Sequence, residues 1–439
     1  LPGGLPGACV SLQSAIEKVW KMSPGISPLE IKFGGDGTSV TNADNFVIFS
    51  LGNIHLTSSQ KTVAIIKSSE SYETLWNTCE PIFQELNTII AEKGIKVNGE
   101  MIPVNIYLTS DMKFTLLVMG MNAANSIYSC LWCKVHKDER VSLPDQWDFY
   151  ETDLARDIAN HTPGKYGCVR QPLINICFRN IPIDLLHTTL RITDVIEQNL
   201  ISEALELDTR LKIDKKEPYH LDKLVQLIRS CGVPYRVWEN RDPKTNAATG
   251  SVSSTSLPGD QKRTVLKKLP DKLRTNDVLD PETKSVTAEL MEELDCILHS
   301  LETGCKGHVE VFKDAHSWGR KFLSLKNKRI GYDRITPYIH AMIYHAPNFM
   351  RQYGALSKFS CQQIEKNNDV IKCIHQGKSN KLDSTKAALK VKLRIEDGGV
   401  YERQKRKYTK ADNNYWAIEM PSNRAKQKME LETEIREAR

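Results

Sequence analysis

The sequence lacks the features that are typical of membrane-spanning and secreted proteins. Its longest stretch without a charged residue, Thr115–Trp132, is interrupted by asparagine and serine side chains, which argues against a membrane span. The eleven cysteines are an odd number without the spacing of a disulfide-rich domain, and no secretory leader is expected. We therefore expect an intracellular protein with reduced thiols and no membrane partner.

The composition also lacks any strong bias. Hydrophobic residues make up 40% of the chain and charged residues 26%, which is ordinary for a soluble globular protein, and 439 residues are enough for more than one folded unit. The net charge of +6 is only mildly basic, so binding to a polyanion would require localised charge. Because the first residue is Leu1 rather than Met, we expect residues 1–28 to be a truncated N-terminal segment.

The order of the predicted elements indicates an α/β fold. Residues 29–33, 46–51 and 62–66 are predicted to be strands, and apolar alternation predicts a further strand at residues 104–108. Helical spacing predicts helices at residues 12–22, 72–91 and 114–121. We divide the rest into an irregular connection at 137–180, a strand at 181–187 that opens a helical insertion reaching residue 330, a late helical part at 331–376 and a basic charged tail at 377–439. Within the insertion, Asn240–Lys262 is rich in Ser, Thr and Gly and is predicted to be a loop.

Two pairs of metal-binding side chains lie far apart in the sequence. Cys130 and Cys133 form a Cys-x-x-Cys pair, and His340 and His345 are five residues apart; both spacings occur in zinc sites. We favour one Cys2His2 zinc site. The alternative is that the thiols are a redox or incidental pair and that the histidines lie on an ordinary core helix.

Three acidic residues follow or interrupt regular elements. Asp36 stands in Gly-Gly-Asp-Gly after the strand at residues 29–33, although this stretch could equally be only a hairpin turn. Asp111 follows the strand at residues 104–108, and Glu365 lies beside the apolar stripe of a late helix, where most glutamates are merely solvated. Carboxylates on rigid elements are the ligands that Mg²⁺ and Mn²⁺ require.

The choice of these acids depends on a resemblance. The sequence resembles the catalytic core of the RAG-type V(D)J recombinase and its relatives, the RAG-like and Transib DDE transposases, over residues 29–376 in the stretches GGDGTSV, TSD, YSCLWCKVHK, IDLLH, YIHAMIYHAP and IEKNN. The resemblance implies a ribonuclease-H-like mixed sheet with a large, mostly helical insertion and a zinc-stabilised junction. It also implies that Asp36, Asp111 and Glu365 are the catalytic acids and bind two Mg²⁺ or Mn²⁺ ions, and that the cysteine and histidine pairs bind one structural Zn²⁺.

The implied function is DNA transposition or recombination by metal-dependent nicking and strand transfer. The resemblance further implies a nuclear protein that binds double-stranded DNA at terminal inverted repeats, a homodimer and a possible accessory subunit. Two alternatives stay open: a domesticated, inactive module that binds DNA or a protein, and a zinc-stabilised structural protein.

Two further features bear on the implied site. Asp184 and His187 match an Asp-x-x-His that the family has near its catalytic pocket, although for His187 we favour a core histidine over a role at the site. The segment Lys381–Lys410 is rich in lysine and arginine, which predicts contacts with DNA phosphates, whereas the alternative is a solvated tail. A short charged helix is predicted at residues 423–439.

Overall fold

The computed structural model of the chain describes residues 5–41, 44–213, 219–325, 331–378 and 383–398. It divides into a compact unit, Leu1–Arg394, and a second unit, Ile395–Arg439, of which only residues 395–398 are described. Lys381, most of the predicted basic tail and the predicted helix at residues 423–439 therefore lie outside the described residues.

A six-stranded mixed sheet forms the centre of the larger unit, and the prediction of a mixed α/β fold is confirmed. Its strands are β1 (Gly7–Cys9), β2 (Leu29–Ser39), β3 (Asn45–Asn53), β4 (Lys61–Lys67), β5 (Gly94–Val97) and β6 (Glu100–Leu108). The spatial order is β1-β4-β3-β2-β6-β5, in which β2 and β6 are parallel and the other neighbours are antiparallel. The sequence predicted β2, β3, β4 and β6 and missed the two short edge strands.

Helices cover both faces of this sheet because its central strands are apolar on both sides. On β3, Val47 and Phe49 pack into the main core, whereas Phe46 and Ile48 pack into a second core on the opposite face, as the period of two along a strand requires. The main core includes α1 (Leu12–Lys21) and α2 (Tyr72–Glu92), and the second core includes α11 (Gln362–Lys378) and α12 (Ser384–Gly398).

The glycines around Asp36 lie inside β2 and do not form a turn, so the hairpin-turn interpretation is wrong. A Cβ at Gly34 would lie 2.0 Å from the carbonyl oxygen of Thr109, and one at Gly35 would lie 2.4 Å from the Phe114 ring. Neither glycine has a positive φ. The glycines are therefore needed for close approach of neighbouring elements and not for an unusual backbone conformation.

The insertion is mostly helical, as predicted. It contains α4 (Leu185–Arg210), α5 (Tyr219–Ser230), α6 (Gly259–Thr275), α7 (Pro281–Thr303), α8 (His308–Ser324) and a hairpin of β7 (Val237–Arg241) with β8 (Ala248–Ser254). The hairpin corrects the predicted loop at residues 240–262. Its strands carry hydrogen bonds between polar side chains, such as Asn240 to Ser251, so no apolar run marks them in the sequence.

The strand predicted at residues 181–187 is also wrong. Asp184 is the N-cap of α4, and its carboxylate accepts hydrogen bonds from the backbone N–H groups of Leu186 and His187. A capping aspartate therefore outweighs the short apolar run that suggested a strand.

The remaining elements connect the sheet to the insertion and the late part of the chain. They are α3 (Met112–Val118), α9 (Pro337–His340), a π-helical turn (Ala341–His345), α10 (Ala346–Tyr353) and short 3-10 helices at Thr57–Ser59, Lys137–Ser142, Phe149–Glu151, Ile158–Asn160, Phe178–Asn180 and Ser357–Phe359. Four of these 3-10 helices lie in the predicted irregular connection.

Candidate functional site

The Cys-x-x-Cys and the two late histidines form one buried cluster. Cys130 and Cys133 lie in the segment after α3, and His340 and His345 lie at the ends of α9 and of the π-helical turn. Their donor atoms all lie within 4.8 Å of one another, and all four residues are buried. The cluster could therefore hold a metal ion such as zinc. This agrees with the sequence prediction that these four residues can share one ion.

The π-helical turn explains how two histidines five residues apart can bind one ion. In a regular α-helix, residues i and i+5 point about 140° apart, because each residue rotates by about 100°. The π turn closes an i to i+5 hydrogen bond, from the Ala346 N–H to the Ala341 carbonyl, and brings such residues onto one side of the helix. The turn thus aligns His340 with His345.

The distances within the cluster fit a tetrahedral ion. Cys130 Sγ lies 3.3 Å from His345 Nε2, and Cys133 Sγ lies 3.3 Å from His340 Nε2. Zinc with Zn–S of about 2.3 Å and Zn–N of about 2.0–2.1 Å separates such a sulfur and nitrogen by about 3.5 Å. Burial raises the pKa of the Cys130 thiol, but its hydrogen bond with Cys133 and the two imidazoles outweigh burial and lower the pKa well below its usual value. A thiolate is the form that binds zinc.

The surroundings fix the ligands in place. The Trp132 ring lies 5.2 Å from the His345 ring, the Tyr150 ring lies 4.7 Å from the His340 ring, and Glu151 Oε1 is 3.8 Å from His345 Nδ1. A carboxylate on the distal nitrogen of a ligating histidine is a common orienting contact in metal sites.

A second cluster contains the predicted acidic residues at one edge of the sheet. Asp36 lies on β2 three residues beyond Phe33, where the parallel pairing with β6 ends, and Asp111 follows β6. Asp111 is the N-cap of α3, and its Oδ1 accepts a hydrogen bond of 2.7 Å from the Phe114 N–H. Strand β2 continues beyond the end of β6, so Asp36 on β2 and Asp111 after β6 lie at the same end of their parallel pairing.

Helix α11 brings the third acid to the same edge. It packs over Gly34, since a Cβ there would lie 2.5 Å from the Ile364 side chain. From this helix Asn368 Nδ2 donates a hydrogen bond of 2.6 Å to Asp36 Oδ2, one helical turn after Glu365. Glu365 is partly open to solvent, with 42% of its side chain exposed.

The carboxylates of this acidic cluster perturb one another. Burial raises the pKa of Asp36 to about 7, and the charges of Glu365, Asp111 and Glu70 add to the rise, whereas His187 opposes it. Burial also raises the pKa of Glu365, against the opposing charge of His187. Several carboxylates that share a site with few cations form an environment that favours a bound cation.

Glu70 is a fourth carboxylate that sequence reasoning missed. It precedes α2, its side chain is only 7% exposed, and its Oε2 accepts a hydrogen bond of 3.0 Å from Lys113 Nζ. Its Oε1 is buried without a hydrogen-bond partner, and a Cβ at Gly37 would lie 2.5 Å from Oε2. The surrounding sequence Ser-Ser-Glu-Ser has no pattern that distinguishes this acid. The only indication in the sequence is Gly37, the third glycine of Gly-Gly-Asp-Gly, whose missing side chain leaves room for a close neighbour.

His187 lies between Asp184 and the acidic cluster. Its Nδ1 is 2.6 Å from Asp184 Oδ2, and its Nε2 is 3.5 Å from Glu365 Oε1. Burial lowers the pKa of His187, but the hydrogen bond and charge of Asp184 outweigh burial and raise it above its usual value. Asp184 Oδ1 also accepts a hydrogen bond of 2.9 Å from the Cys361 N–H just before α11, so Asp184 ties α4 to α11.

The two clusters differ in compactness. In the part of the chain that the structure describes, the Cys/His cluster is the one group of three or more potential ligands whose donor atoms all lie within 4.8 Å. The oxygens of Asp36, Asp111 and Glu365 are more widely spaced as a set.

Comparisons with known proteins add no family. A scan against protein-family models finds no match, and a search of curated protein sequences finds no significant similarity. Among the described residues, no helix combines the length and the apolar character that are needed to cross a membrane. The function is therefore argued from the side chains of the two clusters.

Proposed function

We propose that this protein is the core of a DDE-type DNA transposase or recombinase, which nicks DNA and joins DNA ends by metal-dependent phosphoryl transfer. The observation that carries the proposal is the convergence of Asp36, Asp111 and Glu365 from two strands and a distant helix on one edge of the sheet. The three residues were selected from the sequence by their resemblance to the acids of that family.

The sheet topology supports a ribonuclease-H-like core. The order β4-β3-β2-β6 consists of an antiparallel meander followed by one strand parallel to β2. In the resembling family such a sheet carries the catalytic acids, and the resemblance implies Asp36 on β2 and Asp111 after β6. The helical insertion then separates Asp111 from Glu365, as it does in the resembling family.

The acidic cluster has the donor set for divalent ions. Asp36, Asp111 and Glu365 would hold two Mg²⁺ or Mn²⁺ ions, with the unpaired oxygen of Glu70 nearby, because hard oxygen ligands suit these ions. When bound, the two ions would activate the attacking oxygen and stabilise the leaving oxygen of a phosphodiester. A pair of ions about 3.5–4 Å apart spans a wider set of oxygens than a single ion does.

The protein's own side chains position this donor set. Asn368 holds one oxygen of Asp36, and the cap of α3 holds one oxygen of Asp111, so each acid keeps a fixed orientation. His187, held by Asp184, lies against Glu365 and balances part of the negative charge. We assign His187 a positioning role at the site.

The Cys/His cluster is proposed to bind one structural Zn²⁺. All four protein ligands are buried and leave no open position for a substrate, which is the property of structural and not of catalytic zinc sites. The ion would join the segment after α3 to the helices that lead into α11 and so stabilise the position of Glu365.

The partners and location remain proposals that come from the resemblance. They are binding to double-stranded DNA at terminal inverted repeats, a homodimer, a possible accessory subunit and the nucleus. One observation favours a second candidate function, a domesticated module that binds DNA without cutting it: the oxygens of the three acids are more widely spaced than the donors of the Cys/His cluster.

The test is nicking of a supercoiled plasmid in Mn²⁺. Asp36→Asn, Asp111→Asn and Glu365→Gln should each abolish nicking, and the triple variant should be no worse than each single one, because the acids act as a unit. Asp369→Asn is the matched control, since this exposed acid on α11 pairs with Lys372 at 3.3 Å. Nicking that survives Asp36→Asn would refute the enzyme proposal, and an inert wild type that still binds DNA would favour the binding module.

A further inference from the structure

A cationic cleft lies beside the Cys/His cluster. It has a volume of about 220 Å³, and the residues that matter for its chemistry are Lys134, Arg156, Asp157, His161, Lys165 and Tyr166. It shares Lys134, Arg156 and Asp157 with a larger cleft of about 760 Å³ that reaches His345. The smaller volume is enough for a phosphate group or a similar small anion.

The positive charge of the cleft is not neutralised. Arg156 is only 9% exposed, and its guanidinium donates hydrogen bonds of 2.8 Å to the carbonyl oxygens of Cys130 and Tyr166. It also donates to the Tyr128 carbonyl at 3.5 Å and lies 3.7 Å from Cys168 Sγ, so its charge contributes to the cleft although most of its N–H groups are already engaged. Lys134 Nζ donates a hydrogen bond of 3.3 Å to the Asp153 carbonyl. Within the described ranges, neither these two side chains nor Lys165 lies within 4.0 Å of a carboxylate.

The one carboxylate of the cleft is engaged elsewhere. Asp157 Oδ1 accepts a hydrogen bond of 3.1 Å from the Ala159 N–H, and its Oδ2 accepts one of 3.4 Å from the Asn160 side chain. These hydrogen bonds fix Asp157 at the local 3-10 turn and do not cancel its charge. The cleft therefore presents three cations and one carboxylate to any ligand that enters it, and its net charge is positive.

An aromatic ring stands at the rim of the cleft. Tyr166 is 49% exposed, and Lys134 Nζ lies 5.7 Å from its ring centroid. Its φ of +48° lies in the left-handed region, which bulky residues rarely adopt, and Gly164 and Gly167 beside it also have positive φ. The loop thus holds an exposed tyrosine in an unfavourable conformation next to the cations.

We propose that this cleft binds one strand of nucleic acid, with a backbone phosphate against Lys134, Arg156 and Lys165 and a base stacked on Tyr166. Proteins that hold single strands combine a positive groove with exposed aromatic rings, because the phosphates are attracted to the charge and every base has a face that can stack. A cleft of this size admits a phosphate but not the groove of a duplex.

The position of the cleft relates it to the acidic cluster. Four residues after Tyr166, the Arg170 guanidinium stacks 4.8 Å from the Tyr72 ring centroid, and the Tyr72 hydroxyl donates a hydrogen bond of 2.6 Å to the Gln171 carbonyl. Four residues span at most about 14 Å, and Glu70 precedes Tyr72 by two residues. The Tyr166 loop is thus connected through Arg170 and Tyr72 to the segment that carries Glu70 of the acidic cluster, and only the choice of DNA as the nucleic acid rests on the proposed function.

The experiment measures binding of the full chain to a fluorescent single-stranded DNA of about 10 nucleotides, and to the same oligonucleotide without bases. Tyr166→Asn removes the ring and leaves a residue that tolerates positive φ, so the fold is preserved. Tyr166→Trp restores an aromatic ring, and Lys134→Gln combined with Lys165→Gln removes two exposed charges. The matched controls are Tyr219→Asn and Lys223→Gln, because Lys223 Nζ also lies over an exposed tyrosine, 5.3 Å from the Tyr219 ring centroid.

Each variant has a distinct expected result. Tyr166→Asn should weaken binding of the base-containing strand roughly 5- to 100-fold and leave the abasic strand unchanged, and Tyr166→Trp should restore binding. The double lysine variant should weaken both strands and reduce the salt slope of binding by about 1.4, because each lost phosphate contact contributes about 0.7. The proposal is overturned if these variants bind like the wild type or if the two controls lose as much. Binding needs no cleavage, so an inert enzyme with a functional cleft would overturn only the proposed function.

Discussion

Removal of the metal from the Cys/His cluster should destabilise the compact unit strongly. Cys133 and His340 are 207 residues apart in the sequence, so an ion that joins them closes a very long loop. The chain-entropy relation for a loop of this length gives about 5 kcal/mol, which is comparable to the whole net stability of a typical domain. For a unit of this size, such a loss corresponds to a fall in melting temperature of roughly 6 °C.

The assay is a thermal melt of the purified chain with and without a chelator, together with a measurement of bound zinc. The wild type should contain one zinc per chain and should melt at a lower temperature after chelation. Cys133→Ser should melt low in both conditions, whereas Cys296→Ser, which changes an exposed thiol, should behave like the wild type. The prediction is refuted if the purified protein lacks stoichiometric zinc and the chelator leaves its melting temperature unchanged.

Three further predictions concern packing, pH and the basic tail. Gly35→Ala should lower the free energy of unfolding by about 1–3 kcal/mol in a urea titration, because its Cβ would lie 2.4 Å from a phenyl ring, whereas Gly377→Ala, with nothing within 4 Å, should not destabilise. Because the folded pKa of Asp36 is about 7 and the ordinary value is 3.8, the folded state holds an extra proton between these values. The metal-free protein should therefore lose stability as pH rises from about 4 to 7, and Asp36→Asn should reduce this dependence in urea titrations at several pH values. The raised pKa of Glu197, also about 7, should leave part of the dependence in place. Replacing Lys390 and Arg394 of α12 by Gln should weaken duplex DNA binding and reduce the slope of log affinity against log salt concentration by up to about 1.8. An unchanged slope would mean that these two side chains are only solvated and do not contact DNA.

Much of the sheet could be predicted because its central strands are short, nearly continuous apolar runs. Such runs in β3 and β4 mark strands that are buried on both faces, and the observed ranges differ from the predicted ones by one or two residues at each end. The edge strand β1 and the hairpin of β7 and β8 carry no such signal, since few of their side chains enter the core. Their pairing depends on tertiary contacts that a local pattern does not contain.

The metal-binding residues were predictable in identity but not in arrangement. Cys and His at ligand spacing are rare enough in a sequence to be recognised, and the buried cluster confirms that they could share an ion. The π-helical turn that aligns His340 and His345 was not predicted, although Pro347 just after it cannot donate a helical hydrogen bond to the turn. For Asp36, the sequence indicated the residue but not the reason for its glycines, which is close packing against α3 and α11.

The acidic cluster contains one residue that no sequence pattern could supply. Glu70 lies in a short polar segment before α2, and its importance comes only from its burial next to Gly37 and Lys113. Residues that contribute to a site through a single contact from a loop have no periodicity or motif. A structure is needed to find them.

Asp36, Asp111 and Glu365 are proposed to form a two-metal site. The most direct test is anomalous diffraction from crystals of the protein soaked in MnCl₂. We expect two manganese peaks about 3.5–4 Å apart among these carboxylates, and the loss of both peaks in Asp36→Asn. No manganese at the three acids in the wild type, at a concentration that saturates nicking activity, would contradict it.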